Sequence, residues 1–502
     1  MQPEKVTEWH RHLSGPFVID DLTADGTLLR VWSAHWDRHP EQIVLRDGRD
    51  PSSPGVTAGV LEQRTAAAAT ALAAAGVTAQ DRVLWGGHPS LDSIVWLLGA
   101  LRLSAVVVPV SARVTASELT YVTEDVNPSA AILERAEQRS WVTSAQPGVV
   151  TMSPSDAFAD DADRRVLDTA RPHDDALIVY TSGTTGRPKG AVHTHRSLLA
   201  CVQAIRLAWD WQEEDRLILA LPLFHVHGLC AGLFGTLAAG ASAVVVDRFT
   251  PERVLDAVGE STMFFGVPTM YHRLAESGRA TELSSLRLCV SGSAPLPAAL
   301  WHRLHDEGVD VLERYGMSET LLTLSNPLRG ARRPGTVGFP LPGTEARIVR
   351  PDEAGVGELE VRGPSSCRGY WERPAETAAQ WDDDGWFATG DLASVDAEGA
   401  FTIRGRLTEL IITGGHNVYP AEVEAVLSRH PSVREVAVVG LESEEWGESV
   451  TAFVVAEGSP DVDGIARLAA RELAPYKCPR EIRVVAELPR NAMGKVLRRQ
   501  LT

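Results

Sequence analysis

YTSGTTGRPKG, the stretch from Tyr180 to Gly190, directly follows a short β-branched run and holds three glycines, four aliphatic hydroxyls and two cations. Glycines allow successive backbone N–H groups to converge on an anion, and serine and threonine hydroxyls add hydrogen-bond donors. Lys189 supplies a positive charge for the same anion. Because the spacing differs from the GxxxxGK[ST] pattern of a Walker A loop, the stretch predicts a different kind of phosphate-binding loop.

The sequence around this loop alternates short β-branched runs with alanine- and leucine-rich segments, which is typical of α/β layering with parallel strands. The runs include Val106 to Val110, Leu177 to Tyr180, Ala243 to Val246 and Leu286 to Val290. From about Pro334 the pattern changes to short alternating strands separated by turns, which predicts an antiparallel sheet or small barrel. We therefore expect an α/β fold whose large N-terminal domain combines layered α/β subdomains with a small antiparallel β subdomain.

The C-terminal part of the chain predicts a separate α+β unit. After Arg406 the sequence indicates strands at Val433 to Val439 and Val450 to Val455, and a helix from about Ala421. A length of roughly a hundred residues is common for a domain. The predicted division is an N-terminal domain over residues 1–405 and a C-terminal domain over residues 406–502.

Composition and charge argue against several classes of protein. The 502 residues carry 66 acidic and 48 basic side chains, a net charge of −18, which disfavours general binding to nucleic acid or anionic membranes. The five cysteines lack CxxC spacing, so neither a zinc site nor a disulfide framework is predicted, and a cytoplasmic location is favoured. The N-terminus has no apolar signal core, and no stretch reaches the roughly 20 strongly apolar residues of a membrane span.

Six further motifs accompany the phosphate loop. In chain order they are LPLFHVHGL (Leu221 to Leu229), VSGSAPL (Val290 to Leu296), ERYGMSET (Glu313 to Thr320), GWFATGD (Gly385 to Asp391), GRLTELIITGGHNVYPAEVE (Gly405 to Glu424) and PRNAMGKV (Pro489 to Val496). Together with the loop they resemble the motifs of the adenylate-forming superfamily, which includes acyl-CoA synthetases, peptide-synthetase adenylation domains and luciferases. The resemblance extends over nearly the whole chain, and the N-terminal domain most resembles the malonyl-CoA synthetase branch.

The resemblance implies a nucleotide site assembled from several motifs, in which Tyr315 faces adenine and Asp391, braced by Arg406, accepts hydrogen bonds from the ribose. Taken singly, these three residues have structural alternatives, namely a packing aromatic in a loop, a turn acid and a surface cation. The paired glycines would line the channel for the pantetheine arm of coenzyme A, or form a simple hairpin turn. The residues implied to bind ATP or coenzyme A are Thr181, Ser182, Gly183, Thr184, Thr185, Lys189, Ser293, Ala294, Pro295, Glu313, Arg314, Tyr315, Gly316, Met317, Ser318, Asp391, Arg406, Gly414 and Gly415.

Magnesium is the expected metal. A carboxylate such as Glu319 is the hard oxygen ligand that Mg²⁺ prefers when the ion is shared with nucleotide phosphates. On the family pattern, Glu319 and the hydroxyl of Thr184 form the magnesium and phosphate site. The alternative for Glu319 alone is a solvated loop acid.

Lys495 matches the lysine that family members use for adenylation, where its ammonium would stabilise the charge that builds at the α-phosphate. The resemblance implies two half-reactions: the acid and ATP give an acyl-adenylate and pyrophosphate, and then the thiol of coenzyme A displaces AMP. A mobile C-terminal domain rotates between them. At its hinge, Thr408 replaces the Lys or Asp of many relatives, although a threonine can still absorb the backbone change. Thioester formation from a supplied acyl-adenylate alone stays open.

The acyl pocket is indicated by FGVPTMYHR, from Phe265 to Arg273, which resembles the malonyl-CoA synthetase branch. In that branch an arginine binds the distal carboxylate, so Arg273, with Ser293 on the matching loop, would hold a second carboxylate through its guanidinium. The alternative is a helix-surface arginine. His225 matches the family histidine that gates the acyl pocket, and its i, i+2 spacing to His227 does not suit zinc.

We therefore expect an ATP-dependent acid:CoA ligase with Lys495, His225 and Glu319 in catalytic roles, and malonate or another short dicarboxylate as the acid. Its expected partners are the small acid, ATP and coenzyme A, and not nucleic acid. One alternative is a ligase for a fatty, aryl or polycyclic acid in secondary metabolism. Others are a stand-alone adenylation module that loads a carrier protein, and a non-enzymatic nucleotide-binding module.

Overall fold

The computed structural model describes residues 5–50, 52–156, 167–181, 187–330, 332–490 and 496–502. In these ranges the chain forms two large, mostly parallel sheets of nine and six strands, an antiparallel sheet of five strands, and a further mixed sheet near the C-terminus. The α/β class predicted from the alternating sequence pattern is therefore confirmed.

The strands of the first three sheets are, in chain order, β1 (Lys5–Val6), β2 (Ile43–Asp47), β3 (Val56–Thr57), β4 (Arg82–Gly86), β5 (Val106–Val110), β6 (Ala130–Leu133), β7 (Val150–Met152), β8 (Asp175–Thr181), β9 (Lys189–Thr194), β10 (Arg216–Leu219), β11 (Ser242–Val245), β12 (Met263–Gly266), β13 (Leu288–Ser291), β14 (Val311–Met317), β15 (Leu321–Ser325), β16 (Phe339–Pro340), β17 (Glu345–Val349), β18 (Gly357–Arg362), β19 (Phe387–Val395) and β20 (Phe401–Arg406). The strands of the last sheet are β21 (Ile411–Thr413), β22 (His416–Val418), β23 (Val433–Ser443), β24 (Gly447–Ala456) and β25 (Glu481–Val485).

The α-helices are, in chain order, α1 (Leu28–Arg38), α2 (Ala58–Ala74), α3 (Leu91–Arg102), α4 (Ala116–Val126), α5 (Ala136–Ala145), α6 (His195–Ala208), α7 (Gly235–Ala238), α8 (Pro251–Val258), α9 (Pro268–Glu276), α10 (Ala298–Asp306), α11 (Pro374–Gln380), α12 (Pro420–Leu427) and α13 (Val462–Glu472). A π-helix, His227–Phe234, precedes α7 directly. Within the described ranges, no helix is long and apolar enough to cross a membrane.

The two large sheets are parallel at their centres. The nine-stranded sheet has the order β16-β15-β14-β13-β12-β10-β11-β2-β3, and its strands from β14 to β2 pair in parallel. The six-stranded sheet has the order β7-β6-β4-β5-β8-β9, in which β9 runs antiparallel to β8. Parallel strands buried on both faces need apolar side chains throughout, which explains why β5 and β13 arise from the runs that the sequence analysis singled out.

Helix packing in the N-terminal domain depends on small residues. Helix α3 begins at a capping box, in which Ser90 and Ser93 exchange hydrogen bonds. Its residue Gly99 packs directly against α2, where an added Cβ would lie 2.7 Å from the Cβ of Ala68. The glycine therefore permits the alanine-rich α2 to approach α3 closely.

The antiparallel sheet has the order β1-β17-β18-β19-β20. The sequence pattern after Pro334 predicted an antiparallel sheet or small barrel, and β17 to β20 of this sheet lie in that part of the chain. It did not predict β1, because a two-residue strand, Lys5–Val6, leaves no alternating pattern to recognise.

The C-terminal unit forms a sheet in the order β22-β21-β24-β23, with β25 parallel to β24, and α12 and α13 contribute to its apolar core. The chain passes from the antiparallel sheet to this sheet between Arg406 and Ile411. Tyr419 contacts the larger unit: its hydroxyl donates to Asp352 Oδ2 at 2.6 Å. The predicted division at residues 405 and 406 stays a prediction, and the change of sheet falls beside it.

Candidate active site

Two paired strands bring the predicted ribose ligands together. Asp391 in β19 lies opposite Arg406 at the end of β20, and Arg406 Nε donates to Asp391 Oδ1 at 2.8 Å. Arg406 also donates to the carbonyl of Thr389 at 3.2 Å. Asp391 is buried, and the low dielectric around it strengthens its contact with Arg406. The sequence-based alternative for Asp391 is a turn acid, but β19 continues to Val395, so the acid lies within a strand.

Tyr315 joins this pair from β14. Its hydroxyl donates to Asp391 Oδ2. Burial, together with the charge of Asp391, raises the pKa of Tyr315 well above its usual value, so the hydroxyl keeps its proton. A loop position is the sequence-based alternative for Tyr315, but residues 311–317 form β14, and pairing with β15 holds its backbone in place.

Glu319 follows β14 and is buried. Tyr370 donates its hydroxyl hydrogen to Glu319 Oε1 at 3.0 Å, and the ammonium of Lys189 lies 5.2 Å from the centre of the Tyr370 ring. Burial raises the pKa of Glu319, and the Tyr370 hydrogen bond and the charge of Arg406 oppose that rise. A bound cation would favour the ionised form, so this buried hard oxygen ligand fits a divalent metal shared with nucleotide phosphates.

The two ends of the predicted phosphate loop meet in the structure. Thr181 at the end of β8 pairs with Lys189 at the start of β9, and Thr181 Oγ1 donates to the Lys189 carbonyl at 3.4 Å. Tyr121 donates its hydroxyl hydrogen to the carbonyl of Pro188 at 2.9 Å. Five predicted site residues lie outside the described residues: Ser182, Gly183, Thr184 and Thr185 of the loop, and Lys495.

The predicted adenine loop, Ser293 to Pro295, is exposed and follows β13. Ser293 has a φ of 71°, a left-handed conformation that few residues other than glycine adopt. The buried carboxylate of Glu313 anchors the end of this loop by accepting hydrogen bonds from Leu296 N at 3.2 Å and Gly335 N at 3.0 Å. Burial raises the pKa of Glu313 to about 7. Glu313 is therefore positioned to hold the loop, and direct contact with the nucleotide stays a prediction.

Gly316, Met317 and Ser318 lead from the β-bulge in β14 to Glu319. A Cβ at Gly316 would overlap the Leu321 carbonyl, so a glycine is required there. The carbonyl of Ser318 accepts a hydrogen bond from His193 Nε2 at 2.6 Å. His193 belongs to β9, the strand that begins with Lys189, so this bond ties the Glu319 segment to the phosphate-loop strand.

The side chain of Arg314 lies on the opposite face of β14 from that of Glu313, because neighbouring residues of a strand point to opposite faces. Its side chain is buried against Gly292, where an added Cβ would overlap the guanidinium. Neither Nε nor Nη2 of Arg314 has a hydrogen-bond partner among the described residues. Burial lowers the pKa of Arg314 to about 10, so the group stays charged at neutral pH. The structure thus contains a buried cation whose donors are not saturated in the described part of the chain.

A buried histidine lies near Arg314. Both ring nitrogens of His227 lack hydrogen-bond partners within the described ranges. Burial lowers the pKa of His227 well below its usual value, and the nearby charge of Arg314 lowers it further. His227 begins the π-helix, a form that occurs frequently at functional sites. Arg314 and His227 form what we call the buried polar cluster.

His225 and Arg273 were the residues predicted to serve the acyl pocket. The His225 ring lies against Phe224, with ring centres 4.1 Å apart, and burial lowers its pKa to about 4, so the imidazole is neutral. Arg273 is exposed on α9, with its guanidinium 5.1 Å from the centre of the Phe249 ring. The arginine in the buried polar cluster is therefore Arg314, and the assignment of Arg273 to the second carboxylate stays a prediction.

Gly414 and Gly415 form the two-residue turn between β21 and β22, with φ values of 56° and 79°. Two successive positive φ values are characteristic of a type I′ hairpin turn, which favours glycine at both positions. Gly414 N donates to the Trp446 carbonyl at 2.8 Å, and the guanidinium of Arg480 lies 4.0 Å from the centre of the Trp446 ring. The hairpin turn is thus observed, and its contact with coenzyme A stays a prediction.

Comparison with known families identifies the chain. Residues 32–371 match the family described as AMP-binding enzyme, and residues 422–495 match the AMP-binding enzyme C-terminal domain. The chain belongs to the AMP-binding enzyme family. It is an acyl-CoA synthetase, as its motifs predicted, and ATP and coenzyme A are its substrates.

This AMP-binding enzyme is similar to the malonate–CoA ligase of Arabidopsis thaliana, with 36% identity over 467 residues that cover 82% of this chain and 76% of the relative. It is also 36% identical to a feruloyl-CoA synthase of Amycolatopsis sp, over 91% of this chain and 95% of the relative. The solved structure of ATP-bound MatB from Rhodopseudomonas palustris matches with a TM-score of 0.88 and 34% identity, covering 94% of this chain and 97% of that one. These similarities confirm the predicted large N-terminal and small C-terminal domains and the malonyl-CoA synthetase branch.

Two residues of this AMP-binding enzyme have surroundings that the motifs did not predict. Glu313 and Arg314 were assigned together to the nucleotide, but Glu313 anchors the adenine loop and Arg314 enters the buried polar cluster. The apolar start of VLERYGM indicates a strand, in which successive side chains point to opposite faces. This pattern could have shown that Glu313 and Arg314 have different surroundings. A loop interpretation of ERYGMSET conceals that alternation.

Proposed function

We propose that this AMP-binding enzyme forms the coenzyme A thioester of malonate or another short dicarboxylic acid. The observation that carries the proposal is the buried guanidinium of Arg314, whose Nε and Nη2 have no partner among the described residues. Burying a charge without a counter-charge costs several kcal/mol. A dicarboxylate would remove that cost, because a carboxylate accepts two parallel hydrogen bonds from a guanidinium.

The buried polar cluster suits a second carboxylate better than an alkyl chain or an aryl ring. His227 is neutral and can donate one hydrogen bond, so a carboxylate paired with Arg314 would find a further donor. A fatty acid would leave these buried groups without partners, which is unfavourable. The names of relatives that are malonate–CoA ligases support the same acid.

The remaining site residues take the roles implied by their positions. Asp391 would accept hydrogen bonds from the ribose hydroxyls while Arg406 holds its carboxylate in place. The ring of Tyr315, oriented by its own bond to Asp391, would lie against adenine. Lys495 would stabilise charge at the α-phosphate during attack by the free carboxylate.

Glu319 and Thr184 would hold Mg²⁺, which would neutralise charge on the ATP phosphates. Lys189, above the ring of Tyr370, would add a second cation on the same side. In the second half-reaction the thiol of coenzyme A would displace AMP, with its pantetheine arm passing the turn at Gly414 and Gly415 and His225 controlling access to the acyl pocket.

The test is acid-dependent exchange of pyrophosphate into ATP with malonate, methylmalonate, ferulate and a fatty acid. Mass detection of acyl-CoA after addition of coenzyme A follows the complete reaction. We expect exchange and thioester formation with a dicarboxylate. Pyrophosphate exchange with ferulate alone would show that the substrate is an aryl acid. An aryl acid is the second candidate because the chain is similar to a feruloyl-CoA synthase.

Two arginine variants locate the acid site. Arg314→Met is expected to lower kcat/KM for the dicarboxylate by about thirtyfold or more, because removing one partner of a buried charge pair costs about 2 kcal/mol or more. Arg273→Ala tests the other predicted arginine, and on the exposed surface its loss should change kcat/KM little. The opposite result would assign the second carboxylate to Arg273. Thioester formation from synthetic acyl-adenylates without any exchange would restrict the enzyme to the second half-reaction.

A further inference from the structure

The C-terminal tail returns to the hinge through a cluster of three charged side chains. Arg498 Nη2 donates to both carboxylate oxygens of Glu424 in α12, at 2.6 Å and 2.9 Å. Arg498 Nη1 lies 3.6 Å from Oε2 of Glu409, which ends the single helical turn after Arg406. One arginine therefore connects the tail, α12 and the hinge segment.

The cluster depends on its arginine. Burial raises the pKa of Glu424, and Glu409 raises it further, while Arg498 lowers it. Burial alone would lower the pKa of Arg498, but the two carboxylates raise it. Glu424 Oε1 also accepts a hydrogen bond from Val438 N of β23 at 2.7 Å, so α12 and the sheet share the same carboxylate. Without Arg498, two like charges would face each other at the hinge.

The described residues on either side of 491–495 are bonded to each other. Arg490 and Val496 form an antiparallel bridge, and Leu497 N donates to the carbonyl of Pro489 at 2.8 Å. Val496 and Leu501 pack on the apolar cluster that includes Phe453 of β24. The residues on both sides of 491–495 are thus fixed to the C-terminal sheet, and Arg498 is the point where this tail meets the hinge.

We propose that Arg498 is a positioning residue for the adenylation step. By pairing with Glu424 and Glu409, it keeps the tail that carries Lys495 in a fixed position relative to the hinge segment. This inference rests on the proposed role of Lys495 in adenylation. Displacement of a catalytic group by about 1 Å costs about a hundredfold in rate. The thioester half-reaction does not use Lys495 in the proposed function, so loss of Arg498 should separate the two half-reactions.

The experiment compares full-length Arg498→Met with Arg499→Met, because Arg499 is the next residue of the same tail and is exposed. In Arg498→Met, acid-dependent pyrophosphate exchange should fall by about a hundredfold, while thioester formation from synthetic acyl-adenylate changes less than about threefold. Arg498→Lys keeps the charge but not the planar donor pair, so its exchange rate should lie between those of the wild type and Arg498→Met. Arg499→Met should match the wild type.

Hydrogen exchange of the peptide 496–502 provides a readout that does not depend on catalysis. In Arg498→Met, the amides of Leu497 and Leu501 should exchange faster, because the tail loses its anchor, and in Arg499→Met they should not. Equal loss of both half-reactions, unchanged pyrophosphate exchange, or unchanged amide exchange would each overturn the proposal. A wild-type enzyme without pyrophosphate exchange would instead refute the role of Lys495, and amide exchange would still decide whether Arg498 anchors the tail.

Discussion

Replacing Arg314 with Met should stabilise the ligand-free enzyme and remove its response to malonate. Burial lowers the pKa of Arg314 from 12.5 to about 10, which corresponds to roughly 3 kcal/mol at 1.36 kcal/mol per pKa unit. At pH 7 the arginine is charged in both the folded and the unfolded chain, so the folded state carries this penalty in full. Methionine fills a similar volume without charge, and we expect the free energy of unfolding to rise by about 1–3 kcal/mol.

Urea denaturation followed by tryptophan fluorescence measures this change, and the chain has 13 tryptophans as probes. The titration is carried out with and without malonate, in the presence of a non-hydrolysable ATP analogue. Malonate at a hundred times its Kd should stabilise the wild type by about 2.7 kcal/mol. Arg314→Met should be more stable than the wild type without malonate and should gain nothing when malonate is added.

Arg273→Met is the matched control. Because Arg273 is exposed, its replacement should change the free energy of unfolding by no more than about 0.5 kcal/mol and keep the response to malonate. An Arg314→Met variant that is less stable than the wild type would show that the guanidinium has a partner in the folded protein. A variant that still responds to malonate would show that the second carboxylate binds elsewhere. Either result refutes the reasoning.

Three further variants test other parts of the site. The pKa of Glu313 is raised from 4.5 to about 7, so its contribution to stability is present below pH 4.5 and is lost as the pH rises through 7. Urea titrations should therefore show that the free energy of unfolding changes less between pH 5 and pH 8 for Glu313→Gln than for the wild type, by up to about 3 kcal/mol. The same change in both proteins would contradict this assignment. Asp391→Asn weakens the ion pair with Arg406 and the proposed hydrogen bonds to the ribose, so steady-state kinetics should show a KM for ATP about tenfold higher. An unchanged KM for ATP would show that Asp391 does not bind the nucleotide. Gly414→Ala strains a residue with φ 56° and brings a Cβ to 3.1 Å from Trp446 Cε3. The KM for coenzyme A should therefore rise while the rate of pyrophosphate exchange stays unchanged. A fall in pyrophosphate exchange would contradict a role confined to coenzyme A.

The strands and the chemistry of the site were largely predictable from local sequence. The run Val106 to Val110 forms β5 with the same bounds, and the turn at Gly414 and Gly415 has the backbone that paired glycines favour. Such features depend on residues close together in the chain, where hydrophobic periodicity and allowed backbone angles operate. The motif residues likewise indicated an acyl-CoA synthetase without any structure.

Assignments that failed or changed concern residues whose partners lie far along the chain. A turn acid is the local alternative for Asp391, but its place beside Arg406 depends on pairing with β20. Strand β1 pairs with a strand about 340 residues later, and two residues carry no pattern that predicts it. Glu313 was grouped with its motif neighbours, yet its carboxylate binds Leu296 and Gly335, which belong to two other segments.

Local patterns and residue types were sufficient to predict the α/β class, the order of the motifs and the acyl-CoA synthetase chemistry. Which of the two arginines is buried follows from how the chain folds and from no local pattern. Arg273 and Arg314 are chemically identical side chains, but α9 leaves the first on the surface, and β14 buries the second against Gly292. Desolvation and the lack of a counter-charge arise from the packing of distant segments, and that packing makes Arg314 the residue suited to a second carboxylate.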